Sequence, residues 1–470
     1  MSTDNYDLSN IFVSARKARV SKLHSPLTLQ PRQTTELDIS QRGLVESLHL
    51  SAKSVLDNCQ TIQSFPPKST NVPLLVFVTP WNKEGYATAV RNKGKIDIIV
   101  PVWYNLRFGS NLKLTGEKNV DKNFINQVKA DDDPFGRTPP KIVPRIYFEG
   151  WTRRDFLEFL GSSSMINQLA NMLIEECQKF GFSGIFLDYG SLAYESWDPQ
   201  QQEEAVMTII RLKEFYRKLS PPIHLSGFML YASVAPNSVF GQRLPMMHSM
   251  TMQRAMTMQI EGDVSDIRFH QDDEENERLQ EKMRKELEEV SFENDEKKKK
   301  HGSKKVKGKI LEPQLVDGVV ISTLNYSQSQ SLEPNAPLDW QMANFYSFRY
   351  LPAENDIQTI GLGQVRMPHS EETFLCIPFY GFEYVGGKLV GAVTNTRYID
   401  VLRNYKTQFM WDEGSKEHIV KFSDEQGKDH TIMYPSIMSI RRRAEEMAKF
   451  GAGIGVWELG TGLDYFMDAL

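Results

Sequence analysis

Short apolar runs that alternate with helical patterns restrict the fold of this 470-residue chain more than any other feature. Apolar runs bounded by glycine or proline are typical of parallel strands that are covered on both faces, and the helical patterns between them supply the crossovers that such strands need. The alternation therefore predicts an α/β fold, a closed (β/α)8 TIM barrel. The predicted strands are Leu74–Thr79, Ile96–Val102, Ile142–Phe148, Gly184–Asp188, Ile223–Leu230, Gly318–Leu324, Phe374–Pro378 and Gly453–Trp457. The predicted helices are Asn123–Lys129, Arg153–Leu160, Met165–Phe180, Gln201–Leu219, Leu338–Tyr350 and Ile437–Phe450.

An open doubly wound sheet is the other fold that alternating strands and helices form. A doubly wound dinucleotide-binding fold carries a glycine-rich fingerprint after its first strand. The segment after the first predicted strand reads Thr79-Pro-Trp-Asn-Lys-Glu-Gly85, which has no such fingerprint. The closed barrel is therefore favoured.

Composition divides the chain into a tail, a barrel and two insertions. Residues 1–70 mix Ser, Gln, Lys and Pro and predict an N-terminal tail or linker, disordered or partly helical, with Arg42–Cys59 as the candidate helix. The barrel is predicted over residues 71–470. Within it, residues 261–309 pass from an acidic to a lysine-rich run and predict a charged, disordered loop insertion, with polyanion binding as the open alternative. Residues 384–434 predict a small α+β flap before the last strand.

Charge and cysteine usage argue against several function classes. The chain has 55 Lys and Arg against 60 Asp and Glu, and its net charge of −5 argues against a nucleic-acid partner. Three cysteines are too few for a disulfide framework, and no apolar run is long enough to predict a membrane span. The nine histidines do not cluster at ligand spacing, so neither a metal site nor a cofactor is predicted. The polar N-terminus lacks a signal-peptide pattern, which favours a cytoplasmic location.

The segment Gly181–Gly190 places a carboxylate at the end of a predicted strand. The strand ends in Asp188 and Tyr189 and is followed by Gly190, which has no side chain for chemistry. In a (β/α)8 barrel the residues at the carboxyl ends of the strands face the active site. One carboxylate and one aromatic ring are therefore expected at the mouth of this barrel.

This segment resembles the D-G-x-D-x-D-x-E motif of glycoside hydrolase family 18, the chitinase family. Gly184 and Asp188 match the motif, Ser183 and Phe186 replace its first two Asp residues, and Gly190 stands where the catalytic Glu belongs. Other segments are similar to one branch of that family, the chitinase-domain-containing protein 1 group, also described as stabilin-interacting chitinase-like proteins. These segments are Val76–Asn82, Asp317–Ser327, Pro334–Trp340, Phe379–Gly381, Met410–Asp412 and Gly455–Phe466.

The resemblance implies a location and a partner as well as a fold. Proteins of this branch are secreted or lysosomal, and the resemblance implies a sorting receptor as a partner. The N-terminus favours the cytoplasm instead, and both locations stay open at this point.

The resemblance also implies what chemistry is missing. In family 18 the substrate's N-acetyl oxygen attacks the anomeric carbon, a Glu protonates the leaving oxygen, and an Asp two residues earlier orients the acetamido group. Here Gly190 removes the acid, and Leu324 and Asn325 replace the sixth-strand Tyr and Asp that assist it. Asp188 is the remaining match, so ordinary chitinase activity is not expected. The carboxylates that remain as candidates for a displaced acid are Glu149, Glu195 and Glu458, with Glu195 the weak first candidate.

A ring of aromatic and polar residues at the predicted strand ends suits a sugar ligand. Flat aromatic faces offer rigid platforms for the C–H faces of sugar rings, and polar neighbours serve the hydroxyl and acetamido groups. The resemblance places Trp457 at the floor of the sugar pocket, although a barrel-core tryptophan is the alternative reading. The candidate substrate-binding residues are Trp81, Trp103, Tyr104, Trp151, Asp188, Tyr189, Tyr231, Asn325, Tyr380, Glu383, Trp411, Asp412, Trp457 and Glu458. Phe148 belongs to the same group of aromatic residues at the strand ends.

These observations favour a chitinase-like lectin that binds chitin-type or related N-acetylated oligosaccharides without cleaving them. A glycoside hydrolase of unusual chemistry and a non-catalytic trafficking or interaction protein are the alternatives. The fold does not decide among them, because function lies in the site.

Overall fold

The computed structural model describes residues 33–45, 50–64, 68–133, 136–189, 192, 202–236, 315–326, 332–350 and 372–470. The charged insertion predicted at 261–309 lies outside the described residues, as do Gly190 and Glu195.

Strands and helices alternate through most of the described chain. In chain order the strands are β1 (Gln33–Thr35), β2 (Thr61–Gln63), β3 (Leu74–Val78), β4 (Ile98–Pro101), β5 (Tyr104–Arg107), β6 (Lys113–Thr115), β7 (Lys141–Ile142), β8 (Arg145–Phe148), β9 (Gly184–Asp188), β10 (Met229–Val234), β11 (Gly318–Ile321), β12 (Thr373–Pro378), β13 (Gly381–Val385), β14 (Lys388–Val393), β15 (Gln408–Asp412), β16 (Glu417–Ser423), β17 (Asp429–Met433) and β18 (Gly453–Trp457). The α-helices are α1 (Ala52–Asn58), α2 (Lys83–Arg91), α3 (Lys122–Lys129), α4 (Arg153–Gly161), α5 (Ser163–Phe180), α6 (Gln202–Leu225), α7 (Leu338–Tyr350), α8 (Asn395–Asn404) and α9 (Ile437–Lys449).

Parallel strand pairs connect eight strand positions into a closed barrel. The pairs run β3–β4, β8–β9, β9–β10, β10–β11, β11–β12, β12–β18 and β18–β3. The second and third positions are each split in two: β4 leads into β5, and β7 leads into β8 across Val143 and Pro144. Because β4 pairs with β7 and β5 pairs with β8, the ring closes between these two positions. The predicted (β/α)8 barrel is confirmed.

Alternate residues of each strand fill the barrel interior. Leu75 and Phe77 of β3, Phe186 of β9 and Phe374 and Cys376 of β12 belong to one buried cluster inside the barrel. Side chains alternate between the two faces of a strand, so the residue two positions further on also faces inward. This periodicity decides which polar side chains reach the mouth of the barrel.

Local sequence signals place the strand that carries Asp188. Ser162 caps α5 by accepting a hydrogen bond from the backbone N–H of Met165, and Gly181 ends the helix in the left-handed conformation with φ 67°. At Gly184 a Cβ atom would lie 2.3 Å from the carbonyl oxygen of Met229, so the pairing of β9 with β10 requires glycine there.

Several sequence-based boundaries are wrong, each for a local reason. The strand predicted at Ile223–Leu230 begins instead at Met229, because α6 continues through Pro221 and Pro222 to Leu225. Pro144, which lacks an N–H group, interrupts the strand predicted at Ile142–Phe148. Within the span Arg42–Cys59, the described helix covers only Ala52–Asn58. The helix α2 and the strand β5 were not predicted, whereas α8 lies within the predicted α+β flap, for which no helix bounds were given.

A five-stranded antiparallel sheet follows the seventh barrel strand. Its order is β14-β13-β17-β16-β15, and it spans residues 381–433 between β12 and α9. We call this sheet, with α8, the flap sheet. The N-terminal strands β1 and β2 pair in parallel, and Arg42 forms an ion pair of 2.9 Å with Asp468.

Candidate functional site

Polar side chains reach the mouth of the barrel at the inward positions that follow the core residues. Thr79 follows Phe77 of β3, Asp188 follows Phe186 of β9, and Ser233 follows Tyr231 of β10, each two residues on. Arg145, which follows Val143, and Trp457 at the end of β18 also face inward at this level. These five residues define what we call the mouth layer.

Asp188 is buried in an ion pair that the sequence did not reveal. The Nε–H of Arg145 donates a hydrogen bond of 2.6 Å to Oδ2 of Asp188, and both residues are 8% exposed. The guanidinium carbon of Arg145 also lies 4.4 Å from the ring centre of Tyr147 and 5.5 Å from that of Trp457. The one matching carboxylate of the family motif is therefore held by a cation that is itself packed against two aromatic rings.

Trp457 forms the aromatic floor of this layer. Its ring lies 4.6 Å from the ring of Phe77, and it is 7% exposed. The indole Nε1–H has no hydrogen-bond partner within the described part of the chain. A buried indole N–H normally finds an acceptor, so this donor is available to a ligand.

Glu458 is a buried carboxylic acid at the same end of the barrel. It is 1% exposed and adopts the left-handed conformation with φ 59°, which is uncommon for a residue other than glycine. Burial raises the pKa of Glu458 to about 7, although the neighbouring Thr79, Trp81 and Asn82 offset part of that rise. A carboxyl group with such a pKa is able to donate or accept a proton near neutral pH.

Four buried polar atoms at this end of the barrel lack hydrogen bonds of good geometry to any described residue. They are Oγ1 of Thr79, Oγ of Ser233, Nε1 of Trp457 and Oε1 of Glu458. Leaving a buried polar group unpaired costs about 1–3 kcal/mol, and natural proteins rarely keep several such groups together. Their concentration at the carboxyl ends of the barrel strands makes this end the candidate ligand site.

Asn325 and Tyr380 lie together and bond to each other. The hydroxyl of Tyr380 donates to Oδ1 of Asn325 at 2.7 Å, and Asn335 bonds to both residues. Burial raises the pKa of Tyr380 well above its ordinary value, so its hydroxyl stays protonated. Asn325 adopts φ 56° at this position. The residue that replaces the sixth-strand Asp of the family is therefore fixed by an internal hydrogen bond.

Several predicted site residues lie against helices instead of beside Trp457. Trp103 packs on Phe124 of α3 and donates to the hydroxyl of Tyr86, and the hydroxyl of Tyr104 donates to Glu176 of α5 at 2.7 Å. Trp151 donates to the carbonyl oxygen of Leu106. Tyr189 packs against Phe148 and Phe156. The ligand-binding role of these residues stays a prediction, and their contacts supply a packing role.

The other predicted residues divide between the rim, the core and the flap sheet. Trp81 is 40% exposed at the rim, whereas Tyr231 is buried in the barrel cluster, where it packs on Phe374. In the flap sheet, Glu383 bonds to Arg397 and His430. Burial works to raise the pKa of Glu383, but its bonds to Arg397 and His430 hold this pKa below its ordinary value. The indole of Trp411 donates to Glu413, and Asp412 accepts from Ser415. At the rim beyond β8, Glu149 pairs with Arg107.

Arg145, Thr79 and Ser233 were missed by sequence reasoning. Arg145 carried a usable signal, because a charged residue in an otherwise apolar strand must find a partner when it is buried. Thr79 and Ser233 carried none, since a small hydroxyl residue is common in any strand.

No group of three or more His, Cys, Asp or Glu among the described residues is placed to hold a metal ion, and none of their helices is long and apolar enough to cross a membrane. A shallow cleft of about 550 Å³ lies away from the mouth layer. Its lining residues are Arg153, Arg154, Leu157, Glu158 and Arg211.

Solved structures of two chitinases and a spore cortex-lytic enzyme share this fold. A chitinase from Chromobacterium violaceum superposes with a TM-score of 0.53 at 15% identity, covering 85% of this chain and 97% of that one. A class V chitinase from Pseudomonas fluorescens gives 0.53 at 13% identity over 85% and 98% of the two chains, and the spore cortex-lytic enzyme SleL from Bacillus cereus gives 0.52 at 13% over 85% and 73%. No protein-family model matches the sequence. At these identities the likeness shows the fold: this chain has the barrel fold of the chitinases.

Proposed function

We propose that this protein is a chitinase-like lectin, which binds chitin-type or related N-acetylated oligosaccharides in the mouth of its barrel without hydrolysing them. The observation that carries the proposal is that four buried polar atoms at this end of the barrel, Nε1 of Trp457 among them, lack a hydrogen bond of good geometry to any described residue. A sugar ring stacked on an indole would place hydroxyl and acetamido groups within reach of such atoms, and their hydrogen bonds would remove the cost of leaving them unpaired.

The loss of hydrolysis follows from what the motif positions carry. Gly190 offers no proton donor, and general acid catalysis contributes about 10²–10⁴-fold to reactions of this kind. Asp188 is engaged by Arg145, and Oδ1 of Asn325 is engaged by Tyr380, so neither is free to orient an acetamido group without giving up a bond. The remaining groups suit binding better than cleavage.

The proposal also covers the branch of the family, the location and the partner of this protein. We place the chain in the chitinase-domain-containing protein 1 branch on the sequence segments that resemble it, with a secreted or lysosomal location and a sorting receptor as partner. The N-terminal sequence of the protein purified from native tissue tests the location: a processed N-terminus supports secretion, and an intact polar N-terminus contradicts it.

A glycan array probed with the intact protein tests the binding function. We expect retention on N-acetylglucosamine oligomers and little on glucose oligomers of equal length, because the N-acetyl group is the feature that the unpaired polar atoms would recognise. An array without signal on any N-acetylated glycan would contradict the proposal.

A hydrolase of unusual chemistry is the second candidate, and the state of Glu458 favours it. A buried carboxylic acid with a pKa near 7 is suited to protonate a leaving oxygen at neutral pH. Release of reducing ends from chitin oligomers that is abolished by Glu458→Gln would establish this activity. Glu195, which lies outside the described residues, is tested by Glu195→Gln in the same assay.

A further inference from the structure

The guanidinium of Arg145 is the least satisfied charged group of the mouth layer. A guanidinium has five N–H donors, and within the described residues Arg145 uses one, the Nε–H, on Asp188. No acceptor among those residues bonds to Nη1 or Nη2, although the side chain is only 10% exposed. Buried donors of a charged group are normally paired, so four N–H groups of Arg145 are available to a ligand.

The aromatic surroundings of Arg145 strengthen the case for a charged ligand. Tyr147 and Trp457 pack at 4.4 and 5.5 Å from the guanidinium carbon and keep bulk water from most of it. Electrostatic attraction is stronger where water is excluded. The two Nη atoms of a guanidinium form an edge that matches the two oxygens of a carboxylate.

The rest of the mouth layer offers little repulsion to an anion. The carboxylates that the family motif would place here are replaced by Ser183, Phe186 and Gly190, and Asp188 is neutralised by Arg145 itself. Among the described residues, Glu458 is a second buried carboxyl group at this end of the barrel, and its burial favours the neutral form, while Glu149 at the rim is paired with Arg107. A pocket of this kind is therefore no longer biased against negative charge.

We propose that the pocket selects N-acetylated oligosaccharides in which one sugar carries a carboxylate, and that this carboxylate binds the Nη1–Nη2 edge of Arg145 while Trp457 holds the adjacent ring. This inference rests on the proposed oligosaccharide-binding function and names the ligand class of the same site. Arg145 would act as a specificity-determining residue, in direct contact with the ligand.

Three disaccharides on one backbone test the inference by calorimetry. The first is N,N′-diacetylchitobiose, the second is N-acetylglucosamine linked β-1,4 to N-acetylmuramic acid, and the third is the methyl ester of the second. The muramic acid unit adds a lactyl carboxylate, and its ester keeps the bulk without the charge. We expect the acid to bind about tenfold tighter than its ester, since charge-assisted bidentate pairs are the strong ones, and this ratio to fall as salt is raised.

Two variants test whether Arg145 causes the difference in affinity between the acid and its ester. Asp188→Asn leaves the guanidinium without its internal counter-ion and should increase the preference for the acid. The double variant Arg145→Gln with Asp188→Asn leaves no unpaired buried charge and should bring the acid-to-ester ratio to about one. Thermal unfolding of both variants establishes that they fold.

The outcomes separate this inference from the proposed function. Equal affinity for acid and ester, with diacetylchitobiose bound, would overturn the anionic selectivity and leave the lectin function standing. A preference for the acid that survives in the double variant would overturn the assignment to Arg145. Failure of all three disaccharides, and of longer N-acetylglucosamine oligomers, to bind would contradict the proposed function itself and the inference with it.

Discussion

The mouth of the barrel and the flap sheet treat buried charge in opposite ways. In the flap sheet Glu383 accepts bonds from both ends of the Arg397 fork, at 3.0 and 2.8 Å, and one from His430. In the mouth layer Arg145 uses a single donor on a described residue, and Oε1 of Glu458, at the same end of the barrel, has no well-formed bond to a described residue. Groups that are fully paired hold a structure together, whereas groups left incomplete are free to bind something else. This difference is what we expect if the flap sheet contributes stability and the mouth binds a ligand.

Replacing Arg443, which pairs with Glu417 of the flap sheet, should have the largest effect on stability and so tests the role given to that sheet. The guanidinium of Arg443 pairs with Glu417 at 2.7 Å, bonds to Gln341 and to backbone carbonyl oxygens, and is 2% exposed. Arg443→Ala would leave Glu417 buried without its counter-ion, so we expect a loss of about 3–5 kcal/mol in the free energy of unfolding. Urea denaturation measures it. Arg443→Met with Glu417→Leu is the matched control and should recover much of the loss; a loss below about 1 kcal/mol in the single variant would refute the structural role.

Glu458 predicts a pH dependence of stability opposite in sign to that of Glu383 in the flap sheet, whose pKa is lowered. Its folded pKa is raised from 4.5 to about 7, so the folded state binds more protons than the unfolded state between these values. Stability is therefore highest below pH 4.5 for this group and declines as the pH rises through 7, by about 3 kcal/mol in total. Glu458→Gln should remove that decline, so that its advantage over the natural protein grows between pH 5 and pH 8. If the difference in the free energy of unfolding between the two proteins stayed constant across this range, Glu458 would not be buried as described.

Variants of Trp457 and Trp103 distinguish a tryptophan that binds the ligand from one that only packs in the core. Trp457→Ala should weaken affinity for N-acetylglucosamine oligomers by about 10–100-fold, since a large aromatic contact is lost. Trp103→Phe is the control, because Trp103 is equally buried but its N–H already bonds to Tyr86. Its affinity should be unchanged even where its melting temperature falls. Calorimetry on folded material measures both, and equal losses in the two variants would remove the distinction between them.

Trp81 at the rim gives the smallest effect. It is 40% exposed and neighbours Glu458, so Trp81→Ala should weaken oligosaccharide affinity only about two- to fivefold, with little change in stability. Longer oligomers should lose more than short ones, since only they reach the rim. An affinity loss as large as that of Trp457→Ala would move the centre of the site outward.

The fold was more predictable than the site, for reasons that particular residues show. Leu74–Val78, Gly184–Asp188 and Gly453–Trp457 are buried throughout, and continuous apolar runs of that kind are visible in sequence. The helix that continues through Pro221 and Pro222 was not visible, because prolines usually end a helix and here packing of the flanking residues overrides that tendency.

The site depended on facts that only the three-dimensional arrangement supplies. Asp188 and Trp457 were recognised from the strand ends and the family motif. Arg145 was not, because its partner is set by the register that brings β8 beside β9, and register cannot be read from one strand. The pKa of Glu458 likewise depends on burial, which raises it, and on Thr79, Trp81 and Asn82, which lower it and come from the loop after the first barrel strand.

The most direct test of the account combines binding and turnover of triacetylchitotriose by the purified full-length protein. Calorimetry should show saturable binding, while a reducing-end assay at the same concentrations should show no products beyond the uncatalysed background, from pH 5 to pH 8. Many turnovers per protein molecule, lost on Glu458→Gln or Glu195→Gln, would contradict the claim that this barrel holds sugar without cutting it.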